Sequence, residues 1–262
     1  MHPILGRYGP FIFYSYTFLL SLGLLLSVGL VAYRVRRRPA TRPAGWLDGI
    51  VAGLLPALLT GRAGYVLVNW DYFRTHLNES WRLWQGGLSY HAALLGGVLG
   101  VALWCRRQGC SLPAYADLLA PAAALWSAFG WAACWLEGCA YGRETFLGPL
   151  AADLPDNFGV YAVRYQTQVT GLAFSLLALA LFWLWRQKLP PGAGFWLVAT
   201  ILSGSRALVS LYRADLQPLL GPVTVTTIVD TFLATFSLAG LLVTYHFRSP
   251  RQRVASQTKS IE

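Results

Sequence analysis

The chain has 262 residues, of which 55% are hydrophobic and only 12% are charged. Soluble domains average about 25% charged residues, so this composition argues against a soluble protein and favours apolar helices in a membrane. The net charge of +10 does not indicate nucleic-acid binding, because the basic residues lie in short segments between apolar runs, where they set membrane topology.

Seven apolar segments are predicted to cross the membrane as helices. They cover residues 11–33, 46–68, 91–104, 112–136, 169–185, 194–212 and 225–247. The first lacks a preceding basic region and a small-residue cleavage site, which predicts a retained helix rather than a signal peptide. The second contains Pro56, Gly61 and Arg62, which leaves a full span and a re-entrant segment as alternatives.

The basic residues predict the orientation of this all-α polytopic protein. Most of the 21 Lys and Arg residues follow the first, third, fifth and seventh segments, and such residues accumulate on the cytoplasmic side. The N-terminus is therefore predicted to lie outside. Residues 1–247 are expected to form a single transmembrane domain, and residues 248–262 a disordered cytoplasmic tail that contains Arg248, Arg251, Arg253 and Lys259.

Four ionisable residues inside or at the ends of these spans carry the most weight: Arg62, His91, Glu137 and Arg206. Such residues are costly in lipid unless they face protein or water, so they mark a candidate site. Arg62 lies between two glycines and either faces a cavity or extends towards the membrane surface. His91 follows a glycine-rich run and is either a base near neutral pH or a hydrogen-bonded interfacial residue.

Arg206 is the strongest of these candidates. Arg213 follows it by seven residues, about two helical turns, which predicts that both guanidiniums lie on one face and bind an anionic headgroup. The alternative is an ion pair between Arg206 and either Glu137 or Asp117. Asp117 and Asp230 lie near predicted span ends and carry less weight.

The four cysteines form no C-x-x-C pair, so no metal site is predicted. No cofactor is expected either.

Several motifs in chain order resemble the prolipoprotein diacylglyceryl transferases of bacterial inner membranes. They are residues 61–67, residues 84–91 with Gly86, Gly87 and His91, the Asp117-x-x-Ala120-Pro121 motif, and the Gly138-x-x-Tyr141-Gly142-Arg143 motif. Tyr16, Gln168 and Arg206 fit the same register. The family's fold is similar to the one predicted here, with seven spans and the N-terminus outside.

This resemblance implies a reaction and a set of site residues. Such enzymes move the diacylglyceryl group of phosphatidylglycerol to the thiol of a lipobox cysteine and release glycerol phosphate. His91 would be the base or a proton relay, Tyr16 would orient a headgroup oxygen, and Arg206 would hold phosphate as part of the catalytic set. The remaining residues predicted to bind phospholipid are Arg62, Glu137, Gly142, Arg143, Gln168 and Arg213.

The chain also departs from the family pattern. An arginine and an asparagine of the family's fourth span are Trp131 and Cys134 here, and the acid after the signature glycine is Cys139. A block that ends in glutamate in the family ends in Gly171, and an acid after Arg206 is Ser210. These differences keep a second hypothesis open, a catalytically inactive member that serves as a structural or lipid-binding subunit of a larger membrane complex. A transporter is a weaker third hypothesis, because no internal repeat is present.

Overall fold

The computed structural model describes residues 4–9, 11–37, 45–146, 148–156 and 158–258. Within these residues it has eight α-helices: α1 (Ser15–Arg37), α2 (Trp46–Val68), α3 (Trp70–Phe73), α4 (Tyr90–Gln108), α5 (Leu112–Glu137), α6 (Thr167–Trp185), α7 (Ala193–Ser210) and α8 (Val225–Thr258). Six of them, α1, α2 and α5 to α8, are long and apolar enough to cross a membrane. The protein is therefore a helical multi-pass membrane protein.

The count of seven spans stays a prediction, because α4 is not among those six helices. Glycines and the terminal Arg106 and Arg107 make α4 less apolar than the others. Arg38, Arg42 and Lys259, which contributed to the predicted orientation, lie outside the described residues.

Within the described part of the chain, three antiparallel two-stranded ribbons join or precede the helices, and none of them was predicted from the sequence. They pair β1 (Ile4–Tyr8) with β2 (Phe11–Tyr14), β3 (Ala151–Pro155) with β4 (Tyr161–Tyr165), and β5 (Pro218–Leu220) with β6 (Val223–Thr224). Residues 11–14, predicted as the start of the first span, therefore belong to a ribbon. The strands have at most five residues, too few for a clear alternating pattern.

The chain divides into two compact units, and the first comprises residues 38–115. Its helices α2 and α4 pack closely through glycines: a methyl group at Gly53 would lie 2.9 Å from Val101 Cγ2. Pro56 has no N–H for the carbonyl of Ala52, and Gly100 of α4 lies directly against that carbonyl. The helix α2 continues unbroken past Pro56, so the re-entrant alternative is not supported.

The second unit comprises residues 1–37 and 116–262. Its apolar core joins α5, α6 and α7 through Ala120, Ala124, Ala178, Phe182 and Val198. The helix α1 is tied to α5 by polar contacts, because Ser27 Oγ donates to the Ala122 carbonyl at 3.0 Å. Arg34 Nη1 likewise donates to the carbonyls of Asp117 and Leu118, each at 2.7 Å.

The ends of the last two long helices differ from the predicted spans. The helix α7 ends at Ser210 rather than at residue 212, and α8 continues to Thr258 rather than ending at residue 247. Residues 259–262 of the predicted tail lie outside the described residues. The predictions of a single domain and of a disordered tail stay predictions.

Candidate functional site

A short turn after α5 carries Arg143, one of the predicted phosphate ligands. The Arg143 amide donates to the carbonyl of Tyr212 at 2.7 Å, and its carbonyl accepts from the amide of Tyr165 at 3.1 Å. Its guanidinium donates through Nε to the carbonyl of Arg213 at 3.1 Å and through Nη2 to that of Pro222 at 3.4 Å. No carboxylate of the described residues forms an ion pair with it. Neutral groups therefore hold Arg143 in place and leave its charge uncompensated.

Gly142 has a structural reason to be glycine. It forms an isolated antiparallel bridge with Arg213, and a methyl group on its Cα would collide with the carbonyl oxygen of Tyr165. The missing side chain thus allows the segments on either side of the turn to approach Arg143. Gly142 shapes the predicted site through its backbone.

A disulfide links the end of α5 to this turn. Cys134 and Cys139 are bonded, with their Cα atoms 4.8 Å apart. Gln168, which is fully buried, donates from Nε2 to the Cys139 carbonyl at 2.8 Å. The predicted lipid ligand Gln168 therefore holds the turn in place. This pair was not predicted from the sequence, because its cysteines are five residues apart and do not form a C-x-x-C motif.

Trp131 stands at the position where the resemblance implies an arginine. Its side chain is buried and packs with Ala140 and Val209, and Cys134 and Leu172 border the cluster. Gly171 of α6 lies against the indole, so that a methyl group there would collide with the ring. Two departures from the family pattern, Trp131 and Gly171, are thus in direct contact and form a closely packed apolar wall.

Arg206 lies on α7 and forms an ion pair with Asp230 of α8. The distance from Arg206 Nε to Asp230 Oδ2 is 3.4 Å, and the carboxylate side chain is fully buried. The sequence left an ion pair with Glu137 or Asp117 as the alternative, whereas the ion pair in the structure is with Asp230. Asp117 instead accepts hydrogen bonds from the amides at the start of α7, including that of Phe195 at 2.7 Å. Asp230 was given little weight because it lies near the end of a predicted span. Its position in the sequence does not show that it faces Arg206 on α7.

Arg213 does not share a helical face with Arg206, so the predicted two-arginine arrangement was wrong. Since α7 ends at Ser210, Arg213 lies beyond the helix. It pairs with Asp215 through Nε at 2.8 Å and Nη2 at 2.6 Å. This bidentate pair satisfies much of its charge.

Arg62, in the unit 38–115, is enclosed by the loop that precedes α4. Its guanidinium donates to four backbone carbonyls, at 2.8 Å for Ser80, 2.6 Å for Glu79, 2.6 Å for Gly86 and 3.2 Å for Gly87. The residue is buried, and its charge also lies over the rings of Tyr65 and Phe73. In this conformation Arg62 organises the loop instead of extending towards the membrane surface.

The other predicted site residues lie at helix ends. Tyr16 is the second residue of α1 and Glu137 is the last of α5, and both are exposed. His91 is the second residue of α4, with its ring centroid 5.3 Å from that of Tyr90. His91 and Arg62 belong to the unit 38–115, whereas the other seven predicted residues belong to the second unit.

A charged cluster that the sequence analysis missed supports the ribbon of β3 and β4. Arg164 is buried and lies 3.2 Å from Glu144 and 3.4 Å from Asp156. The pKa of Asp156 is lowered, first because the amide of Val160 donates to its carboxylate, and then by the amide of Phe158 and the charge of Arg164. The signal in the sequence was an arginine that follows these two acids within one polar segment.

An open cavity of about 360 Å³ adjoins this ribbon. It is lined by Thr145, Phe146, Gly148, Pro149, Leu150, Ala151 and Tyr165. Tyr165 connects it to the turn, because the Tyr165 amide donates to the Arg143 carbonyl. An open cavity with a mixed polar and apolar lining thus lies next to the segment that positions an arginine.

Comparison with known proteins shows the family. The family profile of prolipoprotein diacylglyceryl transferase matches residues 3–244. Among similar proteins, the phosphatidylglycerol–prolipoprotein diacylglyceryl transferase of Gloeobacter violaceus is 30% identical over 92% of this chain and 89% of its own length. The enzyme of the same name from Trichormus variabilis is 28% identical over 99% of this chain and 95% of its own length. This chain therefore belongs to the prolipoprotein diacylglyceryl transferase family.

Proposed function

We propose that this protein is a phosphatidylglycerol–prolipoprotein diacylglyceryl transferase of the bacterial cytoplasmic membrane. It would take phosphatidylglycerol from the bilayer and a lipobox peptide as acceptor. The family match over residues 3–244 and relatives of that name support this assignment. Six helices suited to crossing a membrane agree with a lipid substrate.

The proposed step is a substitution at carbon. The acceptor sulfur, as thiolate, attacks the carbon of the diacylglyceryl group that is bonded to the phosphate oxygen. A C–S bond forms, the C–O bond breaks and glycerol phosphate leaves. The thiol proton passes to a base, for which His91 is our proposal. The negative charge on the departing phosphate requires a cation that is held in position.

Arg143 is the main support for this proposal, because it is a cation held in position that could stabilise the departing phosphate. Its guanidinium is held by the carbonyls of Arg213 and Pro222 without a carboxylate partner among the described residues. An arginine positioned by neutral acceptors retains its full attraction for a phosphate. Arg206, in contrast, shares its charge with Asp230.

The other roles follow from position. Tyr16 is exposed at the start of α1 and would orient a headgroup oxygen. The cavity beside Tyr165 would accept an apolar part of one of the two substrates. Trp131 and Gly171 form an apolar wall that offers no charge, so Arg143 and Arg206 would stabilise the leaving group.

Reconstitution tests this proposal. The protein is placed in vesicles that contain phosphatidylglycerol, with a lipobox peptide added, and both the thioether product and glycerol phosphate are measured. Vesicles of phosphatidylethanolamine are the lipid control. We expect Arg143→Gln to lower the rate by about 10²-fold, the scale for loss of one positioned transition-state donor.

The matched control is Arg186→Gln, which removes an arginine at the opposite, predicted cytoplasmic end of α6. It should leave the rate unchanged. Folded protein that yields neither product would refute the transferase assignment and leave the inactive-subunit hypothesis. An active protein in which Arg143→Gln has no effect would refute the role of Arg143 alone.

A further inference from the structure

We propose that Cys134 and Cys139 are a site of oxidative modification outside the cytoplasm, and that their disulfide locks the turn that carries Arg143. The disulfide closes between the last part of α5 and the first residues of the turn. The effect on catalysis rests on the proposed function, whereas the formation of the bond does not.

The turn between Cys134 and Arg143 has an unusual backbone. Gly138 has φ +90°, and Ala140 has φ +55°, the one positive φ among the described non-glycine residues. The left-handed region is unfavourable for a residue with a Cβ, so this conformation needs external support. A turn of this kind is expected to relax when its support is removed.

Two kinds of contact supply that support. One is covalent, the Cys134–Cys139 bond. The other is a pair of hydrogen bonds from α6, with Thr167 Oγ1 donating to the Ala140 carbonyl at 2.6 Å and Gln168 Nε2 donating to the Cys139 carbonyl at 2.8 Å. Both donor residues are buried. The disulfide therefore sits where it fixes the start of the segment that leads to Arg143.

The location also suits oxidation. The end of α5 is predicted to face outside, since the segments before α5 and after α6 carry Arg106, Arg107, Arg186 and Lys188, which mark the cytoplasmic side. Disulfides persist outside the cytoplasm and are rare within it. The two cysteines that precede α5, Cys105 and Cys110, are free thiols. The distribution of bonded and free cysteines thus agrees with the predicted orientation.

Formation of the bond requires a disulfide donor, either a small molecule or a protein. The thiolate of one cysteine attacks the donor, forms a mixed disulfide and releases one donor thiolate. The thiolate of the other cysteine attacks the protein-side sulfur, which closes the Cys134–Cys139 bond and releases the second donor thiolate. The two cysteines lose two electrons, the donor gains two, and both protons end on the donor thiols.

The test uses full-length protein in which Cys105→Ala and Cys110→Ala leave only the proposed pair. Maleimide labelling of the unfolded protein counts free thiols before and after reduction. Hydrogen exchange is measured at the amides of Gly138 and Arg143, which donate hydrogen bonds to the carbonyls of Cys134 and Tyr212. Diacylglyceryl transfer is measured on the same samples.

We expect no label before reduction and two labels after it. Reduction should speed exchange at these amides at least fivefold and lower transfer at least fivefold, and oxidised glutathione should restore both. The Cys134→Ala, Cys139→Ala double variant should resemble the reduced protein and not respond to reductant. Should the first variant fail to fold, mapping of disulfide-linked peptides and reduction of the unchanged protein replace it.

Two outcomes would overturn the inference: labelling of both cysteines without reduction, or exchange that reduction leaves unchanged. Transfer that proceeds equally well after reduction would overturn the link to Arg143 while leaving the proposed function intact. If the exchange rate responds to reduction but no form transfers lipid, the lock is supported and the proposed function fails.

Discussion

The contact between Trp131 and Gly171 predicts that the effect of Gly171→Ala on the free energy of unfolding changes sign when the Trp131 indole is removed. A methyl group at residue 171 would lie 2.8 Å from Trp131 Cε3 and collide with two further ring carbons. Where the new methyl group meets no other atoms, Gly→Ala inside a helix stabilises the folded protein by about 1 kcal/mol. Overpacking a tight contact costs about 1–3 kcal/mol. Gly171→Ala should therefore destabilise the native protein.

Removal of the indole should reverse that result. Trp131→Ala alone is expected to cost about 3–5 kcal/mol, because a buried indole is replaced by a cavity. In that background Gly171→Ala meets open space and should stabilise by up to about 1 kcal/mol. The helix gain is common to both backgrounds and cancels, so the coupling between the two sites equals the overpacking cost of about 1–3 kcal/mol, above the scatter of independent sites.

Unfolding in mixed detergent micelles, titrated with sodium dodecyl sulfate, measures these free energies. The matched control is Gly204→Ala in α7, where a methyl group meets no atom within 4 Å, so it should be neutral or stabilising in both backgrounds. If Gly171→Ala has the same effect with and without the indole, the proposed packing is incorrect.

Three further predictions concern charges. Arg62→Gln should speed hydrogen exchange across residues 79–87 at least tenfold, since it removes charged hydrogen bonds of about 1.5–3 kcal/mol each; unchanged exchange would contradict the loop-organising role. Asp230→Leu should cost about 3–5 kcal/mol of unfolding free energy, and adding Arg206→Met should recover most of it, whereas additive losses would argue against the pair. The lowered pKa of Asp156 means that its carboxylate stabilises β3 and β4 above about pH 4, with the effect lost as pH falls through the folded-state pKa. Asp156→Asn should reduce the fall in melting temperature between pH 5 and pH 3, and an identical fall in both proteins would count against this reasoning.

Much of the fold was predictable from local properties. The lengths of the apolar runs located α2, α5 and α6 to within two residues, because a helix must be both long and apolar to cross a bilayer. The end of α7 was missed, since the apolar run continues beyond Ser210 while the backbone turns to pair Arg213 with Gly142. The short ribbons were missed for a different reason: their strands contain too few residues to show an alternating pattern.

The candidate site was only partly predictable. The sequence identified Arg206 and Arg62 as unusual, because charge near lipid is recognisable without a structure, whereas Arg143 was recognised only through the family motif. It did not show that Arg206 meets Asp230 or that backbone carbonyls enclose Arg62. Local spacing relates residues on one helix, whereas these contacts join different segments.

By itself, the sequence determined the membrane class of this protein and, through its motifs, its family, because hydrophobicity and short motifs are properties of the chain read in order. Only the tertiary structure showed which contacts are made by the residues that depart from the family pattern. It brought Trp131 against Gly171 and Cys134 to Cys139. The physical reason is that packing and covalent pairing depend on which side chains become neighbours in three dimensions, and that information is not contained in any single segment.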